Sequence, residues 1–146
     1  MKHTPSKNNK GFTLLLAILI TSIILGISVG FSTFIIRELI ISAMGRESQK
    51  AFFASDSGIE CSLYWDLKQN AFATSSTSSI SCAGSSKTVG GPSGISEFDL
   101  SFTNGSCSRV KVDKTIYPQT KIDSYGRNTC NLSDSNRVER ALEIIY

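Results

Sequence analysis

Residues 12–36 (FTLLLAILITSIILGISVGFSTFII) carry no charged side chain, and an apolar run of that length reads as a helix. At ~1.5 Å per residue such a helix covers about 38 Å, more than the ~30 Å hydrocarbon layer of a bilayer. From Ile36 onward the pattern becomes an amphipathic beat. Ile36, Ile40, Met44, Ala51, Ser55, Ile59, Leu63 and Leu67 recur mostly at four-residue steps, with no proline between them. Residues 12–68 therefore predict one continuous helix of about 85 Å, half suited to lipid and half to serving as the spine of a small head.

Beyond Gln69 the character changes twice. Residues 71–96 hold 16 Ser, Thr or Gly in 26 positions and a single charge, Lys87, which is the composition of a loop. From residue 97 a period of two takes over: Phe98, Leu100 and Phe102 alternate, Asn104-Gly105 marks a turn, and Val110 and Val112 alternate after it. A three-residue loop over 104–106 pairs Phe98 with Val112 and Leu100 with Val110, which keeps the apolar residues on one face. A turn at Tyr117-Pro118-Gln119 leads to a third strand near Lys121–Tyr125. A polar loop at 128–136 precedes a last strand, Arg137–Tyr146, with Val138, Leu142, Ile144 and Tyr146 on one face. The predicted fold is α+β: a long N-terminal hydrophobic helix packed on a small four-stranded antiparallel sheet. The divisions are a leader at 1–11, a membrane-spanning half-helix at 12–36 and a head at 37–146, itself made of helix 37–69, loop 71–96 and sheet 97–146.

Charge adds direction to this picture. Lys2, Lys7 and Lys10 account for the whole of the formal +3, so the rest of the chain is balanced and offers no field for specific nucleic-acid binding. The same lysines place the leader in the cytoplasm and everything beyond Arg37 outside the membrane. The one histidine is His3, in that leader, so residues 4–146 contain no imidazole to act as base or metal ligand. No cofactor, metal site or catalytic constellation is expected, and the chain reads as a non-enzyme. A cleaved secretory signal ending at Ser28-Val29-Gly30 fits less well, because a signal's apolar region spans only ~7–15 residues whereas this run continues through Phe31, Phe34, Ile35 and Ile36.

The junction Lys10-Gly11-Phe12-Thr13-Leu14 separates the remaining readings. The string KGFTLLLAILITSIILG resembles the processing site of type IV prepilins, and AFFASDSGIECSL is similar to the run that follows the span in minor pilins; together the resemblance covers roughly residues 7–68. It implies cleavage by a prepilin peptidase between Gly11 and Phe12, N-methylation of Phe12, and retention of the hydrophobic segment as the core of a filament built with other pilin subunits. One departure is informative. The family's main subunits carry a glutamate as the fifth mature residue, where this chain has Leu16, as certain minor pilins and pseudopilins do. The expected function is that of a structural, minor subunit of a type IV pilus-like filament, held in membrane lipid before assembly. The alternatives are a pseudopilin of a type II secretion-like machine and a signal-anchored protein with a small binding head. The resemblance also implies a fimbrial setting, which fits cell adhesion, DNA uptake, motility or secretion alike.

Ser22, Gly26 and Gly30 recur four apart on one face of the span, a spacing that lets helices approach closely in lipid. Ordinary tolerance of glycine in membrane helices accounts for it equally well. The four cysteines, Cys61, Cys82, Cys107 and Cys130, fall on the outer side, where thiols oxidise, and allow three pairings. Cys107 and Cys130 have their midpoint at the Pro118-Gln119 turn, which predicts a bridge between adjacent strands. That leaves Cys61 with Cys82, and each bridge would contribute roughly 3 kcal/mol. Zinc is disfavoured by intervening gaps of 20, 24 and 22 residues. Asp56 and Glu60, one turn apart, read as a solvated or subunit-facing stripe, and Trp65 with Tyr64 as core. Asn104-Gly-Ser106 and Asn131-Leu-Ser133 match the glycosylation pattern, which short sequences often match by chance.

Overall fold

A computed structural model describes residues 10–146; the leader positions Lys2, His3 and Lys7 lie outside them. The elements are α1 (Lys10–Gln69), β1 (Thr77–Cys82), β2 (Ser85–Gly90), β3 (Ile95–Ser101), β4 (Cys107–Asp113), β5 (Lys121–Arg127) and β6 (Glu139–Ile145). The chain divides into two compact units, Met1–Ala43 and Met44–Tyr146. This boundary falls later than the charge step at Arg37, because packing rather than charge defines it: the first residue of the core is Ala51.

The described part of the first unit, from Lys10 on, is helix. Residues 11–42 are all exposed, and the run is long and apolar enough to cross a membrane. Its hydroxyls turn back onto the helix. Thr21 donates to the Ala17 and Ile18 carbonyls at 3.0 Å, and Ser22, Ser28 and Thr33 donate to carbonyls three or four residues earlier at 2.8 Å. Such bonds satisfy these hydroxyls inside the helix, which is the condition for placing them in hydrocarbon.

In the second unit the rest of α1 packs on a sheet of order β3-β4-β5-β6, antiparallel throughout. The buried helix face is Ala51, Ala54, Ser55, Gly58, Ile59, Ser62 and Asp66, a spacing of three and four that one helical stripe dictates. Met44 and Leu67, expected on that stripe, are exposed. The helix ends on Asn70, whose positive φ of 49° lets its amide bond the Asp66 carbonyl (2.9 Å) and the Ala71 amide bond that of Trp65 (3.1 Å).

Small residues line both sides of the seam between helix and sheet. A Cβ at Gly58 would stand 2.5 Å from Ser124 Oγ and 2.7 Å from Val110 Cγ2. One at Gly126 would fall on the Ala51 carbonyl oxygen and the Ser55 amide. The helix backbone thus lies directly against β5. Ser55 Oγ donates to the Ser124 carbonyl at 2.7 Å across the seam. The Ser108 and Ser124 hydroxyls are buried and find no hydrogen-bond partner among the described residues, so what the seam takes from them is small volume. Larger side chains gather beside it: Ile59, Phe72, Ile80, Val89, Phe98, Leu100, Val110, Val112 and Ile122 form the core, with the Phe72 and Phe98 rings stacked at 6.2 Å.

Two expectations are corrected. Residues 71–96 are not a plain loop: β1 and β2 form an antiparallel hairpin closed by Ala83 and Gly84, both at positive φ. Its inward positions Ile80, Cys82 and Val89 are buried, and Ser96 Oγ accepts from the Gly90 amide at 2.8 Å, tying β2 to the start of β3. The β3–β4 register also differs, with Phe98 opposite Val110 and Leu100 opposite Ser108. The three-residue loop sits at 103–105 rather than 104–106, bracketed by a Phe102 amide to Ser106 carbonyl bond of 2.9 Å. The third loop position must be left-handed, and Gly105 (φ 83°) supplies it. A shift of two in pairing preserves the apolar face, so the alternation of Phe98, Leu100, Val110 and Val112 survives.

Candidate functional site

The residues singled out as a processing junction lie at the start of α1. Gly11 and Phe12 are exposed in its first turn, Phe12 with 69% of its surface free, and a Cβ at Gly11 would meet nothing within 4 Å. The junction is thus sterically open on its C-terminal side. A Cβ added at Gly26 or Gly30 would likewise meet nothing within 4 Å, and the Ser22 hydroxyl is taken up by the Leu19 carbonyl. These three positions leave a shallow, open strip along the apolar helix.

The cysteines divide into two pairs. Cys61 and Cys82 are bonded, with Cα atoms 6.2 Å apart, fastening α1 to β1. The expected Cys107–Cys130 bridge is not formed; both are free thiols. The β4–β5 register explains why the midpoint of the two positions misplaces it. Cys107 stands opposite Arg127, and Cys130 lies three residues beyond the end of β5. The two sulfurs are nonetheless neighbours: Cys107 shares a hydrogen bond with Cys130, and Cys130 Sγ donates to the Gly105 carbonyl at 3.6 Å. Burial first, and the Cys130 hydrogen bond second, push the Cys107 thiol up to about 12. Cys107 is therefore a poor nucleophile near neutrality, while Cys130 is exposed. At pH 8, N-ethylmaleimide is expected to modify Cys130 at least about tenfold faster than Cys107, read by peptide mass spectrometry. Equal rates would contradict the burial argument, and two unreactive sulfurs would mean that they are bridged.

A cluster that the sequence did not reveal lies at the end of α1. Asp66 is buried, Lys114 Nζ sits 2.6 Å from its Oδ1, and the Tyr146 hydroxyl donates to its Oδ2 at 2.6 Å. Tyr146 is further fixed by two backbone bonds with Thr120, of 2.7 and 3.1 Å. Burial, then the Asp66 hydrogen bond, raise the phenol well above its ordinary range, which keeps it a neutral donor. Residues 66, 114 and 146 are too far apart in sequence for any local motif to connect them. Their arrangement clamps helix, β4–β5 connection and Tyr146 together.

Other expected features take structural roles. Asp56 is half-buried and Glu60 exposed, and they are joined by no bond among the described residues. Trp65 is partly buried and donates from Nε1 to the Ser81 carbonyl at 3.2 Å, whereas Tyr64 is exposed rather than core. The Asn104 side chain accepts from the Ser106 amide (3.0 Å) and hydroxyl (2.6 Å), and Asn131 accepts from the Ser133 amide at 3.0 Å, so both motifs build turns. Among the described residues no three His, Cys, Asp or Glu side chains converge as a metal site would require. Comparison with known family models, characterised proteins and solved structures returns no match. The functional reading therefore rests on the chain's own chemistry, in which the largest unexplained feature is the exposed apolar helix.

Proposed function

We propose that this chain is a structural subunit of a type IV pilus-like filament, cut by a prepilin peptidase after Gly11, methylated at Phe12 and assembled through the helix that begins there. One observation carries the reading: a charge-free, exposed apolar stretch starts at the Gly11-Phe12 junction and belongs to the same helix whose later turns bury Ala51, Ser55 and Ile59. A discarded signal would not share an element with the fold it exports. Before assembly the segment spans the cytoplasmic membrane with the leader inside, and on assembly its apolar surface passes from lipid to neighbouring subunit helices. The absence of a carboxylate at Leu16 argues for a minor subunit. The disulfide-fastened second unit supplies the outward-facing part.

Replacing Gly11 by leucine is expected to block cleavage and leave the precursor out of filaments, because a peptidase that reads this junction must admit the residue before the cut. N-terminal sequencing of the exported wild-type chain should begin at Phe12. An intact Met1 on a functional exported chain would identify a signal anchor instead, and a start beyond Gly30 a secreted protein.

A further inference from the structure

Between Phe12 and Gly45 only two residues are charged, Arg37 and Glu38, and both are exposed. No ion pair among the described residues includes either of them. Nor can the helix satisfy them locally. Positions three and four residues away from each are Thr33, Phe34, Ile35, Ile40, Ile41 and Ser42, and the nearest other charges along the described chain are Lys10 and Arg46.

The surroundings make these charges costly. Large apolar side chains flank them on both sides: Ile35 and Ile36 before, Leu39, Ile40 and Ile41 after, each with half or more of its surface free. Within hydrocarbon, unpaired charges cost several kcal/mol, which pairing offsets. If the charges sat instead at the headgroup level, Ile41, which follows them on the face they share, would stand in water uncovered. One kind of neighbour resolves both difficulties: a second apolar helix that offers an acid to Arg37 and a base to Glu38. This chain is itself such a helix, carrying one charge of each sign at adjacent positions.

We propose that two copies of this chain associate side by side and parallel, with Arg37 of one paired to Glu38 of the other and the face they share with Phe34 and Ile41, both exposed, covered by the contact. The inference rests on the filament reading for its setting and goes beyond it in naming the neighbour and the axial register. Since the paired residues are one position apart, a rise of ~1.5 Å, the copies lie within about one helical turn of the same height.

The test uses the full chain in phosphatidylcholine vesicles, with energy transfer between labelled copies as the readout. The wild type is expected to self-associate, and Arg37→Glu or Glu38→Arg alone to weaken association about tenfold or more, since like charges then meet. Mixing the two single variants should restore it, because each then supplies the charge the other lacks. The double swap Arg37→Glu/Glu38→Arg should restore it within one chain. A wild type that stays monomeric, single variants that associate normally, or a loss that neither mixing nor the double swap repairs would each overturn the proposal; the last would assign the charges to lipid phosphate. Both residues are exposed, so circular dichroism should report unchanged folding in every variant. The assay does not depend on processing at Gly11, so it fails or succeeds separately from the filament reading.

Discussion

Replacing Gly126 by alanine is expected to destabilise the second unit by about 3 kcal/mol, and replacing it by valine to abolish cooperative folding. The added methyl has nowhere to go. It would meet the Ala51 carbonyl oxygen and the Ser55 amide, which are backbone atoms of a helix and cannot rotate aside as a side chain can. To admit it, α1 must lift off β5, which breaks the 2.7 Å bond from Ser55 Oγ to the Ser124 carbonyl and loosens the contact of Gly58 with Val110. Trp65 is the only tryptophan and lies against β1, so its fluorescence reports the transition during urea titration of the detergent-solubilised chain. Gly45→Ala is the control. Its added methyl meets nothing within 4 Å in an exposed stretch of helix, and it should gain up to about 1 kcal/mol from helix propensity. Equal behaviour of the two variants would refute the close-approach account.

Asp66→Ala should cost about 3–5 kcal/mol in the same titration. The substitution removes the buried acceptor of two groups at once, leaving the Lys114 ammonium, with only 20% of its side chain exposed, without its counter-charge and the Tyr146 hydroxyl without its acceptor. Tyr146→Phe separates the contributions. It keeps the ion pair and removes one hydrogen bond to a charged group, so about 1.5–3 kcal/mol is expected. A Tyr146→Phe cost equal to that of Asp66→Ala would assign the whole effect to the tyrosine, and no cost for either would remove the clamp from the account of stability.

How much of this could be read from the chain alone depends on the range of each signal. The long helix and the four-stranded sheet were legible because they rest on periodicity within a single element: the charge-free run after Phe12, the four-residue beat through Ala51, Ser55 and Ile59, and the alternation of Phe98, Leu100, Val110 and Val112. The β1–β2 hairpin was not, since serine and threonine fill its outward positions and only Ile80, Cys82 and Val89 mark the inward face. A period of two carried by three residues is hidden in a composition that otherwise reads as loop. The β3–β4 register failed by the placement of one glycine, whose left-handed backbone fixes where the loop ends.

The candidate site shows the same division. The Gly11-Phe12 junction is a local pattern, so it could be singled out without the fold, and the Cys61–Cys82 bond forms as expected although the sequence reached it only as the pair left over from Cys107 and Cys130. Cys107 and Cys130 do come together, but as hydrogen-bonded free thiols and not as a cross-strand bridge, with Cys130 beyond the end of β5 at Arg127 instead of opposite Cys107. Asp66, Lys114 and Tyr146 meet only after the whole sheet has formed, so nothing short of the tertiary fold brings them together. The tight seam had a compositional trace in Gly58, Ser62, Ser108, Ser124 and Gly126, but small residues scattered over seventy positions do not announce that they face one another.

Every buried residue of the described chain lies at Ala51 or later, and the two compact units part at Ala43. A crossover between coding segments at that joint would exchange one folded unit for another without disturbing a single core atom. Natural variation should accordingly run at two separate tempos, with the greasy segment answering to its neighbours and the folded portion to its own interior.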